Sequence, residues 1–202
     1  MSVVLHQNDL PDDVDLGAVV AIGTETMGLL PHRDRLCLVQ LSNGDGTAHL
    51  VQMTDASFDA PNLKALVSSP DVQKLFHFAR FDVAILTHSL GVDCPNVYCT
   101  KIASKLARTY TDKHSLRALC KELIGVDLNK QQQSSDWGAD ELTTEQLNYA
   151  ASDVYYLHSL KAQLDMMLER EGRTDLAQSC FDFLGTRAAL DLQGWPYDIF
   201  EH

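Results

Sequence analysis

Three acids in this sequence stand where an acid needs a reason. Glu25 comes just after the apolar run 19–22, Asp82 follows the apolar stretch "LFHF", and Asp153 lies four residues after Tyr149 in a long helical pattern. An i, i+4 pair shares one helix face, so the Tyr149 hydroxyl and the Asp153 carboxylate can point into the same cleft. Each residue also has an ordinary reading. Glu25 could be a loop acid, Asp82 a charge favoured by a helix N-terminus, and Tyr149 with Asp153 a solvated helix face.

The charge balance narrows what such a cleft could hold. The 202 residues carry 16 Lys and Arg against 28 Asp and Glu, a formal net charge of −12. A protein that binds by neutralising many phosphates is normally basic. Long nucleic acid spread over a broad surface is therefore disfavoured, whereas a short anionic substrate held by metal and a few local cations is compatible. The cations are local: Lys101, Lys105, Arg108, Lys113, Arg117, Lys121 and Lys130 crowd into one third of the chain. They could grip a 5′ phosphate, line a subunit interface or form a solvated helix face.

The elements that must position these groups read as an α/β domain with a mixed sheet. Strands are predicted at 18–22, 36–41 and 47–52, with the Asn-Gly and Asp-Gly of "SNGDG" marking a hairpin between the last two. A helix is expected from Ala60 with Pro61 in its first turn, a fourth strand at "VQKLFHF", and a helix through "RFDVAILTHSLG" closed by Gly91. Further helices are expected over 99–108 and 115–124, then a polar loop "DLNKQQQSSDWGAD". Thr143 and Gln146 form a capping-box pattern. Behind it, Leu147, Ala150, Ala151, Val154, Leu157, Leu160, Leu164 and Met167 mark one helix of about six turns. One more helix is expected over 174–192, before a terminal "GWPYDIF" whose apolar side chains favour a subunit contact. There are no internal repeats. The 45% hydrophobic content supports a proper core. No apolar run is long enough to span a membrane, and no signal peptide is expected. Five cysteines without a C-x-x-C pair predict reduced thiols and a cytoplasmic protein, with no zinc site.

Taken together, "GTE", "HFARFD" and "YAASD" resemble the three motifs of the DEDDy 3′–5′ exonucleases, the family of ribonuclease D. The stretches "PHRDRLCLVQLSNGDGTA", "FHFARFDVAIL", "CTKIASKLARTYTDKHSL" and "KQQQSSDWGAD" look most like its nano-RNase C branch of small alphaproteobacterial enzymes. The resemblance covers nearly the whole chain. It implies an RNase H-like mixed sheet flanked by helices, the DnaQ-like exonuclease fold. Residues 1–202 would form a single exonuclease domain, with 174–202 a C-terminal helix and tail and no room for the further helical domains of ribonuclease D. It also implies degradation of very short RNA, down to dinucleotides, by a ring-shaped octamer.

The mechanism implied is hydrolysis with two Mg²⁺ or Mn²⁺ ions about 3.5–4 Å apart. By resemblance, Glu25 and Asp153 hold the ion nearest the attacking water, Asp82 acts through water on the other, and Tyr149 orients the nucleophilic water. Thr24, Thr26, Leu29 and His77 are implied substrate contacts. Leu29 would wedge between bases, unless it merely covers the core, and His77 would touch the terminal ribose, unless it caps a strand. Trp137 could stack a base or pack under a loop. The family has Asp at the first position of D-x-E, where it bridges both ions, and this chain has Gly23. An engineered replacement, a sequence variant and a natural loss of activity are the three explanations. In each the expectation is an impaired site, and an extended backbone at 23 that would tolerate aspartate.

Overall fold

The computed structural model describes residues 1–128 and 135–201. Its spine is β3 (Leu36–Ser42), in which all seven residues are buried. The run "LCLVQLS" is apolar on both faces except for Gln40 and the terminal Ser42, as suits a strand covered on both sides. β3 pairs antiparallel with β4 (Thr47–Gln52) on one side and with β2 (Val19–Thr26) on the other. Gly44 and Gly46 take positive φ in the connecting turn, the geometry that Asn-Gly and Asp-Gly favour. β5 (Gln73–Phe76) lies parallel to β2, and the order across the six-stranded mixed sheet is β1-β4-β3-β2-β5-β6.

Two strands were not expected. β1 (Ser2–Gln7) runs parallel to β4 at the sheet edge. Its mostly exposed residues show no clean alternation, so it carries no buried-strand signal. β6 (Val97–Cys99) has three residues and takes one off the start of the helix expected from Cys99. β2 is also longer than predicted. Gly23, Thr24 and Glu25 do not follow the strand but belong to it, paired with Gln40, Val39 and Leu38.

The helices cover the sheet. α1 (Pro61–Ser68) has proline in its first turn, and α2 (Ala79–Leu90) ends on Gly91 in the left-handed region. α3 (Thr100–Ala107) and α4 (Leu116–Ile124) follow, the latter capped by the Ser115 hydroxyl. The capping box of Thr143 and Gln146 opens α5 (Thr144–Ser152). The single long helix expected after it is two: α5 stops at Ser152 and α6 spans Leu157–Arg170. Between them the N–H groups of Asp153, Val154 and Leu157 bond three residues back instead of four, tightening the chain into a 3₁₀-like turn. The apolar stripe continues across this break because both helices face the same core, so periodicity could not reveal it. The expected helix over 174–192 is likewise two, α7 (Thr174–Asp182) and α8 (Leu184–Leu192), hinged at Phe183. Among the described residues no helix is long and apolar enough to cross a membrane.

One core cluster runs from Leu10 to Ala188. α8 packs on α2, the helix that carries Asp82. Arg80 of α2 grips Asp191 of α8 with Nε and Nη2 at 2.7 and 2.6 Å, and Arg187 adds a third bond to that carboxylate. The same two arginines donate to the carbonyls of Trp195, Pro196 and Tyr197, tying down the tail. Asp191→Ala should therefore cost about 1 kcal/mol of stability, read from a urea midpoint. It should also make the tail cleavable by chymotrypsin at Tyr197 while the body of the protein resists.

Candidate active site

Where β2 parts from β5, the sheet opens. β2 pairs with β5 only from Val19 to Ala21, but with β3 as far as Thr26. Beyond Ala21 it has a neighbour on one side only, which leaves a crevice at the carboxyl ends of two parallel strands, the usual place for a site in such a sheet. The cavity there measures about 830 Å³. Its lining includes Gly23, Thr24, Glu25, Thr26, Leu29, His77, Asp82, Tyr149 and Asp153, so the residues that the motifs and the implied substrate contacts pointed to are brought to one place. β2 supplies the first four, the turn after β5 and the opening of α2 supply His77 and Asp82, and the end of α5 with its tight turn supplies Tyr149 and Asp153.

Asp82 is buried and accepts a hydrogen bond of 2.8 Å from the Thr24 hydroxyl. Burial pushes its carboxyl up to about 7, with Asp153 adding to the rise and the Thr24 bonds opposing it. Glu25 goes further, up to about 9, through burial first and then the charges of Asp153 and Asp82. The Tyr149 hydroxyl is also raised, by burial and by Asp153 and Glu25. These shifts share burial as their first cause, and the neighbouring acids add to it. All the donors are oxygens, which suits a hard divalent cation such as Mg²⁺ or Mn²⁺. Among the described residues, however, no three of His, Cys, Asp and Glu converge into a ready-made metal cluster. The set fits such a cation in kind and is short of a ligand, and position 23 is where the side chain is missing.

The surroundings of Gly23 correct one expectation. Its φ is not in the left-handed region, so the backbone is as tolerant as an extended strand should be. The space is another matter. A Cβ on Gly23 would lie 2.6 Å from Oε1 of Gln40 and 3.7 Å from Val154. Gln40 is the residue directly opposite Gly23 on β3, and cross-strand partners project to the same face. An aspartate at 23 must first move the end of that side chain.

Other residues define the rim. The Thr100 hydroxyl donates to the Phe76 carbonyl, so in the 2.9 Å contact with His77 it is Nδ1 of the imidazole that donates. Leu29 is 83% exposed on the loop after β2. Asp34 braces that loop by accepting from the Leu30 N–H at 2.9 Å, and the Thr26 hydroxyl donates to the Gly28 carbonyl. Trp137 is buried, with its ring 6.0 Å from that of Tyr149. It is packed, as one of its two sequence readings has it, and it also lines the cavity.

The basic cluster divides. Arg108 is buried and pairs with Glu122, and Arg117 pairs with Asp127. Lys101 lies on the cavity wall, 4.3 Å from the centre of the Phe78 ring. Lys130 lies outside the described residues, as does part of the "KQQQSSDWGAD" stretch.

Gln40 and Phe78 are among the cavity residues that sequence reasoning missed. Gln40 could have been noticed as a lone amide inside a mostly apolar strand. Phe78 precedes α2 with φ 74° and is 47% exposed. A left-handed phenylalanine has no sequence signal, because that backbone region favours glycine and asparagine.

Residues 7–169 match the family of 3′–5′ exonucleases. The structure is similar to Brucella melitensis NrnC bound to pGG, with a TM-score of 0.97 and 54% identity over 100% of this chain and 99% of that one. It is similar to Brucella melitensis NrnC with bound Mg²⁺, with a TM-score of 0.95 and 53% identity over the full length of both. Ribonuclease D of Gluconacetobacter diazotrophicus is 34% identical over 160 residues, which are 79% of this chain and 40% of the relative. The chain thus spans less than half the length of that curated relative.

The raised Glu25 carboxyl makes a prediction about the metal-free protein. Its folded value of about 9 lies above the ordinary 4.5, so the folded form holds the proton more tightly than the unfolded chain. The stability this contributes is complete below 4.5 and is lost as pH rises towards 9. Glu25→Gln removes the titration. In EDTA at about pH 8 the variant should melt about 3–5 °C above the parent, with the gap shrinking near pH 5. Differential scanning calorimetry at the two pH values measures it, and a variant that melts lower at the higher pH would refute it.

Proposed function

The chain belongs to the 3′–5′ exonuclease family, and from that premise we propose that it hydrolyses short oligoribonucleotides from the 3′ end, dinucleotides included, and does so slowly while residue 23 is glycine. The observation that carries this reading is the meeting of Glu25, Asp82, Asp153 and Tyr149 in one cavity at the open end of β2. A cavity of about 830 Å³ suits a substrate of a few nucleotides. The resemblance to an NrnC bound to pGG supports short RNA. Processing of structured RNA, by likeness to ribonuclease D, is the weaker reading, because a net charge of −12 offers little to an extended phosphate backbone. A nucleotide-binding module that no longer cuts is the third.

Glu25 and Asp153, with Asp82 acting through water, would hold two Mg²⁺ or Mn²⁺ ions, which when bound supply an activated water and stabilise the departing 3′ oxygen. The chain's own residues do the rest. Thr24 fixes one Asp82 oxygen by its 2.8 Å bond. Tyr149, raised further above its ordinary value, keeps its proton at neutral pH and orients the attacking water as a hydrogen-bonding group rather than a base. His77, held by Thr100, faces the terminal ribose, and Leu29 presents an exposed apolar side chain to the bases. Lys101 meets phosphate at the cavity wall. Gly23 brings no charge to the transition state, and loss of such a group typically slows a reaction by about 10²–10³.

The exposed Trp195, Tyr197, Ile199 and Phe200 give the tail an apolar face, which supports the proposal of an octameric ring. Five free thiols accord with the reducing cytoplasm as its location.

A dinucleotide cleavage time course tests the reading. Gly23→Asp should raise turnover by about 10²–10³ over the parent, with the flexible end of Gln40 swinging aside. Equal rates in the two would sink the idea that position 23 limits catalysis. In the Gly23→Asp background, Tyr149→Phe should lower kcat strongly and leave oligonucleotide affinity nearly unchanged. A change confined to affinity would make Tyr149 a substrate contact.

A further inference from the structure

Gln40 is the least expected member of the cavity. Its side chain is 1% exposed in a strand whose other residues are mostly apolar, and its Nε2 is buried with no hydrogen-bond partner among the described residues. A buried amide that leaves a donor unpaired costs stability. Core packing alone does not account for it, since a methionine or leucine would fill the same volume without that cost. The amide is also aimed. Oε1 stands 2.6 Å from the place a residue-23 Cβ would take. Gln40 thus brings an amide oxygen from the opposite strand to the place where a side chain at 23 would begin, in a cavity that also contains Glu25, Asp82 and Asp153.

We infer that the Gln40 carboxamide oxygen is the protein ligand to a divalent cation that residue 23 cannot supply. An amide oxygen is a hard, neutral donor of the kind that such cations accept beside carboxylates. It holds the cation in place without the negative charge of aspartate, so the glycine form binds metal better than it turns over. Aspartate at 23 and Oε1 of Gln40 compete for one place, and the ligand role of Gln40 belongs to the glycine form alone. This inference rests on the metal-dependent reading of the cavity given above.

The test is Mn²⁺ binding by isothermal titration calorimetry on the metal-free full chain, with no substrate and no turnover. Gln40→Met keeps the length of the side chain and removes the oxygen. It should weaken Mn²⁺ binding by at least about tenfold, the effect seen even for groups one shell further out. In the Gly23→Asp background the same change should have little effect. Gln40→Glu adds a charge at the same place and should bind Mn²⁺ more tightly than the parent, which keeps the test decisive if the methionine variant does not fold. Equal affinity of the parent and both Gln40 variants overturns the inference, and so does an equal loss from Gln40→Met in both backgrounds, which marks a packing effect. Glu25→Gln separates the two levels of argument. If it abolishes Mn²⁺ binding while the Gln40 variants do not alter it, only the role of Gln40 fails. If it too leaves binding unchanged, the metal-dependent reading fails with it.

Discussion

Like charges held together in a half-buried crevice are the constraint from which the rest of this structure follows. Burial first raises the proton affinity of Glu25 and of Asp82, Asp153 adds to the rise in both, and Asp82 adds to that of Glu25. Left to itself such a group would spread apart or stay protonated. It stays together because each acid is fixed by an element committed to the core. β2 is pinned by β3, α2 is packed between the sheet and α8, and the turn after α5 lies on the buried Ala151 and Val154. The fold supplies rigidity so that the site can be electrostatically unfavourable without a cation, and a cation then has a large favourable interaction waiting for it.

The geometry of the crevice is set by where strands stop pairing. β2 has two neighbours as far as Ala21 and one beyond it. That single change leaves the second half of β2 with a free flank and gives the side chains of Thr24 and Glu25 a cleft to face. The register irregularity between Glu25 and Thr26 lies at the same end of the strand, as bulges commonly do beside sites. The 3₁₀-like turn after Ser152 has a related effect. It ends α5 at Asp153, which lies in the cavity, while the next residue, Val154, is fully buried.

Much of this was legible in the sequence because it follows from local rules. The hairpin turn, the capping box at Thr143, Pro61 in a first turn and Gly91 and Gly125 as helix stops are decided within a few residues. The acids were legible because their spacing resembles a known set of motifs. What escaped was decided at a distance. β1 forms only because β4 offers it an edge, and its own residues are mostly exposed. The breaks at 153–156 and at Phe183 involve no proline or glycine. The apolar stripe continues through both breaks, so it cannot record them. Gln40 escaped because its meaning depends on register: a glutamine in an apolar strand is a curiosity until it is known to stand opposite Gly23.

That cross-strand pair changes what the glycine implies. A bare gap opposite a small residue would leave a void or admit water, and the acids around it would be unaffected by the loss. Here the volume is taken by a longer side chain from the neighbouring strand, which brings an oxygen and no charge. Adding aspartate at 23 would place a fourth acid in a cavity where Glu25 is already driven to about 9, and the metal-free protein would bear the extra repulsion. On the function proposed above, the glycine form would give up part of the electrostatic field that a phosphoryl transition state needs and gain a less strained resting state. This is the usual opposition between stability and activity at a site built from like charges. A ligand set drawn from two strands is also tied to their register, so the same pairing that holds the centre of the sheet together sets the distance at which Gln40 can answer for residue 23.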